Sequence, residues 1–297
     1  MRILVLGAGG QLGVDLAAWL DLQGHEVTTR DRAQLDIVDA SAVGEAVARG
    51  GYQRVVNCAA YTRVDEAERE RALAFLVNQE GAGNVARACA RAGVALCHLS
   101  TDFVFTQPPP EPARPWSESD QPQPQGVYAE SKRAGELECL AAQGPLYLVR
   151  TSWLYGGAGP NFPIAICRAA ARGVPLRVVA DQLGSPTWTG HLVRALGDLL
   201  EGEELGLYHL TGSGATTWFH FAKAVLQEVG VAAPVEPTTT AAWGAAAPRP
   251  QYSVLDNGHW RRLGKAPLPA WEEGLLEYVA AERGRALAEF RAAPGSE

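Results

Sequence analysis

The chain has 297 residues, 47% of them hydrophobic and 20% charged, with a formal net charge of −7. It is long enough for a large core plus a smaller second unit, and its acidic balance argues against a nucleic-acid surface while leaving room for a phosphate ligand. No apolar run approaches the ~18–20 residues that cross a bilayer, and the five scattered cysteines (Cys58, Cys89, Cys97, Cys139, Cys167) suggest neither a disulfide framework nor a zinc site, so a cytoplasmic location is expected.

Arg2–Leu6 is apolar after its arginine and is followed at once by turn residues, which predicts a central parallel strand buried on both faces. Gly7, Gly10 and Gly13 follow in the spacing G-x-x-G-x-x-G, and Val14–Leu20 has helical character. A glycine at the turn tolerates unusual φ, and a second lets the backbone approach a pyrophosphate. A third lets the helix lie close to the strand, with its first N–H groups aimed at the phosphates. Strand, glycines and helix occur in the order that this mechanism needs, so the stretch reads as a dinucleotide cradle. His25–Thr29 predicts a second strand ending near Arg30, Asp31 and Arg32. An acid there suits a plain ribose and an arginine a 2′-phosphate, so NADPH is favoured and NADH stays open.

Asp36-Ile37 leads to a short helix over Ser41–Arg49, with Ser41 near its cap. Arg54–Cys58 predicts a third strand running into Ala59 and Ala60, small residues suited to a close-lying cofactor. Asp65–Ala74 reads as a charged helix start, Asn78–Ala92 as one long helix, and Leu96–Leu99 as a fourth strand ending in Ser100-Thr101-Asp102. Pro108–Gln125 is too rich in proline for a helix and reads as a surface loop or lid. Val127 opens a helix running to Gln143. Leu146–Arg150, Leu176–Ala180 and Gly206–Leu210 are further strands. Phe162–Arg172, His191–Leu200, Thr217–Val229 and Trp271–Arg291 are further helices, while Gln182–Thr189 and Thr238–Ala247 read as loops.

Tyr128 and Lys132 lie one helical turn apart and share a face. A phenol titrates near ~10, too high for acid–base work at neutral pH, and a nearby ammonium is expected to lower it. The chain has only three lysines (Lys132, Lys223, Lys265), so one at this spacing carries weight. The Ser100-Thr101 hydroxyl pair ends the preceding strand, placed to hold the same substrate oxygen. Hydride donor, proton donor and hydroxyl anchor then converge.

The glycine-rich start, the hydroxyl at the end of the fourth strand and Y-x-x-x-K together resemble the extended short-chain dehydrogenase/reductase family. Within it, the strings VNCAAYTRVDEAE (Val56–Glu68), LSTDFVF (Leu99–Phe105), YAESKRAGE (Tyr128–Glu136), RTSWLYG (Arg150–Gly156), DQLGSPT (Asp181–Thr187), GLYHLTGSGATTW (Gly206–Trp218) and RPQYSVLD (Arg249–Asp256) are similar to the dTDP-4-dehydrorhamnose reductase family. The resemblance implies reduction of the C4 ketone of a dTDP-linked sugar. It places Gly10, Gln11 and Leu12 on the pyrophosphate, Asp36 and Ile37 at the adenine, and Ala60, Tyr61 and Thr62 along the cofactor. It places Lys132 on the nicotinamide ribose, Thr101 as catalytic hydroxyl and Tyr128 as proton donor. Asp102 and Trp153 would touch the sugar. Asn161-Phe162, Gln182–Thr187 and Arg249 would form the nucleotide-sugar pocket, with Arg249 a candidate for the diphosphate. Arg30 departs from the acid that many members carry there, which leaves cofactor choice open. No acid cluster aligns with the metal bridges described for some members, so no metal is assigned; the resemblance allows a homodimer.

Two other readings are an epimerase or dehydratase of the same fold and a non-catalytic cofactor-binding regulatory subunit. The dehydratases typically carry T-D-E at the end of the fourth strand; this chain has Thr101-Asp102-Phe103, without the extra acid. The expected fold is α/β, a doubly wound, Rossmann-like parallel sheet of about seven strands with a smaller mixed α/β C-terminal substrate-binding lobe. Residues 1–160, with parts of 177–205, are expected to bind the cofactor, and 161–176 with 206–297 mainly the substrate. The partner is a small nucleotide sugar, with no nucleic acid and no membrane.

Overall fold

The structure is a computed structural model and describes residues 1–157 and 159–282. Its strands, in chain order, are β1 (Arg2–Leu6), β2 (Glu26–Arg30), β3 (Arg54–Asn57), β4 (Ala95–Thr101), β5 (Leu146–Thr151), β6 (Leu154–Tyr155), β7 (Leu176–Val179), β8 (Leu183–Gly184), β9 (Thr187–Trp188), β10 (Gly206–His209), β11 (Thr216–Thr217) and β12 (Val235–Thr238). The main helices are α1 (Gln11–Leu22), α2 (Ala40–Gly50), α3 (Val64–Ala67), α4 (Arg71–Phe75), α5 (Ala82–Ala92), α6 (Val127–Ala141), α7 (Phe162–Ala171), α8 (Thr189–Glu201) and α9 (Trp218–Val229).

The main sheet has six strands in the order β10-β5-β4-β3-β1-β2. Every pairing within it is parallel. Because both faces are covered, its central strands are rich in buried apolar residues: Ile3, Leu4, Val5 and Leu6 of β1 and Val55 and Val56 of β3 are all buried, while the edge strand β2 is largely polar and partly exposed. Leu12, Leu16 and Leu20 of α1 pack with Leu192, Leu196 and Leu200 of α8 on one face. Val43 and Val47 of α2, Val85 and Ala86 of α5 and Cys139 of α6 pack on the other. Each leucine or valine among them contributes about 1.5–3 kcal/mol by leaving water. Successive strands depart from β1 in opposite directions, β2 to one side and β3 to the other, so the crevice of a doubly wound sheet opens at the carboxyl end of β1.

Among the described residues the sheet has six strands rather than about seven. Leu176–Val179, which has the apolar pattern of a sheet strand, pairs instead with β12. Those strands belong to a separate core in which Cys167 of α7, Phe221 and Val225 of α9 and Leu275 of the helix Trp271–Glu282 pack together. The expected helix over Trp271–Arg291 is described to Glu282; its remainder lies outside the described residues. Other local expectations shift for identifiable reasons. Asp39, not Ser41, caps α2, its carboxylate accepting from the Ser41 and Ala42 N–H groups. The Asp65–Ala74 stretch divides into α3 and α4, and the long helix expected from Asn78 begins as a π-helical turn over Leu76–Gly81. Gln182–Thr189 contains β8 and β9, and Thr238–Ala247 contains a short helix over Thr240–Trp243 capped by Thr239. Pro108–Gln125 forms no named strand or helix, and its middle is anchored by specific contacts. Arg114 pairs with Asp120, Trp116 stacks on Phe105 at 4.8 Å, and the Trp116 N–H donates to the Val254 carbonyl at 2.8 Å.

The crossing of α1 over β1 depends on Gly13. A Cβ there would stand 2.4 Å from the Gly7 carbonyl oxygen and 2.8 Å from the Ala8 Cα, both backbone atoms that cannot swing aside. Gly13→Ala is therefore expected to cost about 1–3 kcal/mol and several degrees of Tm. Gly9→Ala, whose Cβ would meet only the Asp31 Cβ at 3.5 Å, should melt near the wild type. Thermal denaturation of the two variants side by side checks this; equal melting would contradict it.

Candidate active site

A cleft runs along the carboxyl ends of β1, β3, β4 and β5. It has two compartments that share Gly10, Cys58, Ala60 and Thr62, so they form one continuous groove. The first is lined by Gly7, Asp31, Arg32, Asp36, Ile37, Ala59 and Tyr61. The second is lined by Gln11, Leu12, Gly13, Thr101, Asp102, Tyr128, Lys132 and Trp153.

Gly7 joins them. Its φ of 71° lies in the left-handed region, and a Cβ would stand 2.5 Å from the Ala59 nitrogen. The α1 N-terminus at Gly10 has no side-chain cap and no acid in its first turn, so its leading N–H groups are left for a ligand. The Gln11 amide nitrogen is buried without a hydrogen-bond partner. These open donors at a positive helix end fit a diphosphate.

The wall made by Ala60, Tyr61 and Thr62 is held from behind by Asn78. Its carboxamide accepts the Tyr61 N–H at 2.8 Å and donates to the Tyr61 carbonyl at 3.0 Å and to Ser131 at 3.0 Å. The π-helical turn places Asn78 there, a recurrent use of such turns at functional sites. Sequence reasoning missed Asn78, which belongs to no local pattern, and Ser131, whose only signal was its place in the YAESKRAGE string. It also missed Glu68, whose carboxylate accepts the Val127 N–H at 2.8 Å and stabilises the α6 N-terminus that carries Tyr128.

At the end of β4, the Thr101 hydroxyl accepts the Phe103 N–H at 3.2 Å and donates to Asp102 Oδ1 at 3.1 Å. The Phe103 ring meets Tyr128 edge-on at 5.4 Å. Lys132 is buried and its Nζ donates to the Leu99 carbonyl at 2.7 Å. Burial pushes the Lys132 ammonium down to about 8, opposed chiefly by the negative charge of Glu136. Desolvation pushes the Tyr128 phenol up to about 12, against a hydrogen bond with Thr101 and reinforced by Asp102. The expectation that Lys132 lowers Tyr128 is thus corrected for this state. Desolvation dominates the phenol, and the ammonium is drawn onto the Leu99 carbonyl. Tyr128 is a protonated acid across the physiological range, the form a proton donor needs.

Trp153 sits at the groove with φ 45°, an uncommon conformation for a non-glycine residue. Its indole stacks on Trp218 at 3.6 Å and 6°, and its carbonyl accepts the Thr187 N–H at 3.3 Å. Trp218, the first residue of α9, also lines the second compartment; its only sequence signal was its place in the GLYHLTGSGATTW string.

The expected residues Arg30, Asn161, Phe162, Gln182–Thr187 and Arg249 stand apart from both compartments. The Arg30 guanidinium donates to the Thr29 carbonyl at 2.9 Å, and Asp31 and Arg32 line the groove in its place. Arg32 reaches Asp36 at 3.3 Å. Asn161 caps α7 by accepting the Ile164 N–H at 3.0 Å and donates to the Tyr278 hydroxyl. Arg249 forms a two-pronged pair with Asp65, at 2.9 and 2.7 Å.

Compared with known proteins, residues 1–283 match the family model described as the RmlD substrate binding domain. A protein named dTDP-4-dehydrorhamnose reductase from Streptomyces griseus is 46% identical over 96% of this chain and 95% of its own length. One of the same name from Mycolicibacterium smegmatis is 41% identical over 95% and 86%. A crystal structure of dTDP-4-dehydrorhamnose reductase from Bacillus anthracis in complex with NADP superposes with a TM-score of 0.91 at 38% identity, covering 94% of this chain and 99% of that one.

Asp102 makes the site sensitive to pH. It is buried, its Oδ2 has no hydrogen-bond partner, and burial pushes its carboxyl up to about 7 against the opposing hydroxyls of Ser253 and Thr101. A carboxyl raised on folding stabilises the fold below its unfolded value and loses that contribution as pH rises through about 7. The loss is on the order of 4 kcal/mol. Asp102→Asn is therefore expected to melt higher than the wild type at pH 8 and close to it at pH 4. A wild type that stays the more stable at pH 8 would contradict this.

Proposed function

The chain belongs to the family of the RmlD substrate binding domain, and we propose that it reduces the C4 ketone of dTDP-4-dehydro-L-rhamnose to dTDP-L-rhamnose with NADPH, the last step of dTDP-rhamnose synthesis. The observation that carries this is one groove in which an open diphosphate cradle meets a protonated phenol, a hydroxyl and a buried ammonium. The identity of the sugar rests on the relatives' names and on the resemblance of their motifs.

A reduced nicotinamide held in the groove supplies the hydride. Gly7, Gly10, Gln11, Leu12 and Gly13 seat the diphosphate, and Asp36, Ile37, Ala59, Ala60, Tyr61 and Thr62 line the remainder of the cofactor's path. Thr101 and Tyr128 hold the ketone oxygen, and Tyr128 passes its phenolic proton to that oxygen as negative charge develops on it. Lys132, whose ammonium is fixed at the end of β4, holds the cofactor ribose. Asp102 offers its unpartnered oxygen to a sugar hydroxyl, and the Trp153–Trp218 stack offers a flat apolar wall for a 6-deoxy sugar. The end of β4 favours reduction over dehydration. Phe103 occupies the place of an extra acid and packs against Tyr128 in a T-shaped ring pair. Residues 1–160 with parts of 177–205 serve the cofactor. Residues 161–176 with 206–297 serve mainly the sugar, a division supported by Trp218 reaching into the second compartment.

With the dTDP-sugar ketone and NADPH, loss of reduced-nicotinamide absorbance should follow added protein. Tyr128→Phe should lower kcat on the order of 10²–10⁴-fold while NADPH binding is kept. Lys132→Ala should lower both kcat and NADPH affinity. Wild-type turnover by Tyr128→Phe would remove the assignment, and NADPH binding without any reduction would move the reading to a regulatory subunit.

A further inference from the structure

Behind Lys132, one turn further along α6, lies a knot of charge that the chemistry above does not use. Glu136 is fully buried. Its Oε1 accepts the Ser100 hydroxyl at 2.6 Å and Arg150 Nε at 2.8 Å. Its Oε2 accepts Arg150 Nη2 at 2.8 Å and Arg133 Nη1 at 2.7 Å. Burial alone would push this carboxyl up, but its bonds to Arg150, Ser100 and Arg133 outweigh burial and hold it well below the usual carboxylate range. Arg150 is itself fully buried, its guanidinium 5.1 Å from the Phe105 ring and 3.4 Å from His209 Nε2. The knot therefore ties α6 to β4 through Ser100, to β5 through Arg150 and to β10 through His209. A two-pronged arginine–carboxylate pair is the most geometrically demanding of ion pairs, so it fixes register as well as contact.

We propose that Glu136 is a positioning residue for the reduction: through Ser100 and Arg150 it seats the turn of α6 that carries Lys132 against the ends of β4 and β5, and its buried negative charge faces the Lys132 ammonium. The inference rests on the role given to Lys132 above. The groups facing that ammonium are the Leu99 carbonyl and His98 on β4, Cys58 after β3, and Glu136 and Cys139 on α6. Burial and Lys132 itself hold His98 down to about 3, so it is neutral. Burial pushes the thiols of Cys58 and Cys139 up to about 12, so they are neutral too. Among these described groups, Glu136 is the one that bears a negative charge, and it opposes the downward push of burial on Lys132. Buried ion pairs are poor sources of net stability, because each ion gives up several kcal/mol of hydration. A role in geometry and protonation accounts for this one better than a role in stability.

The test is the pH profile of kcat/KM with NADPH and the dTDP-sugar ketone. Glu136→Gln should move the basic limb to lower pH by about one unit or more, because the ammonium loses its opposing charge. Glu136→Asp keeps the charge but withdraws it by one methylene. It should leave the limb in place and lower kcat on the order of tenfold to a hundredfold through misplacement. Glu136→Gln strands a buried guanidinium and can fail to fold, so the double variant Glu136→Gln/Arg150→Met, which removes both ions, carries the same expectation for the limb. A limb unmoved in the variants without the charge, or wild-type kcat in Glu136→Asp, would overturn the proposal and leave the knot a structural brace. Lys132→Ala in the same assay separates the two readings. Full activity there would sink the role of Lys132 itself. An inactive Lys132→Ala beside an unmoved limb would sink only the inference about Glu136.

Discussion

Everything in this site depends on burying charged groups of one helix against the ends of a parallel sheet. α6 presents Tyr128, Lys132 and Glu136 at successive turns, and Lys132 and Glu136 are sealed from solvent. Such groups are costly to bury unless each finds a partner, and the strand ends supply the partners: the Leu99 carbonyl and Ser100 hydroxyl from β4, and the Arg150 guanidinium from β5. The helix can therefore sit in one register only, and that register brings the phenol to the Thr101 hydroxyl. Catalytic geometry and electrostatic satisfaction are here the same requirement.

The other half of the groove obeys a steric constraint. Gly13 lets α1 cross β1 at a distance no side chain permits, and Gly7 lets the turn press on Ala59. The uncapped start of α1 is thereby held beside Ala60–Thr62, which Asn78 braces from the far side. The two halves share Gly10, Cys58, Ala60 and Thr62, so the groove runs unbroken from the Asp36–Ile37 side to Tyr128.

What was legible in the sequence follows from range. The β1 strand, the glycine spacing, the Tyr128–Lys132 pair and the Thr101 strand end are local patterns, each contained within a few residues. The six sheet strands were likewise visible as short local runs, β2 with the polar Thr28 and Thr29 among them. Partner choice was not. Leu176–Val179 has the same composition as a sheet strand, and only packing with Val235–Thr238 takes it out of the main sheet. Arg249 looked free for a diphosphate because Asp65, its partner, is 184 residues away in sequence. Asn78, Glu68 and Trp218 act through contacts that no local period records. The Tyr128 phenol was expected to be lowered by a neighbouring charge, but desolvation depends on everything that surrounds a ring, and that is decided by the fold.

The central claim is that one groove brings a nicotinamide, a proton-donating Tyr128 and a sugar ketone together. Its most direct test is isotopic: dTDP-4-dehydro-L-rhamnose is reduced with NADPH carrying deuterium at the transferable position of nicotinamide C4, and the product is read by NMR and mass spectrometry. The account predicts dTDP-L-rhamnose with one deuterium, bonded to sugar C4, and an exchangeable solvent-derived hydrogen on the new hydroxyl. Deuterium at any other sugar carbon, or a product reduced without label, would contradict it.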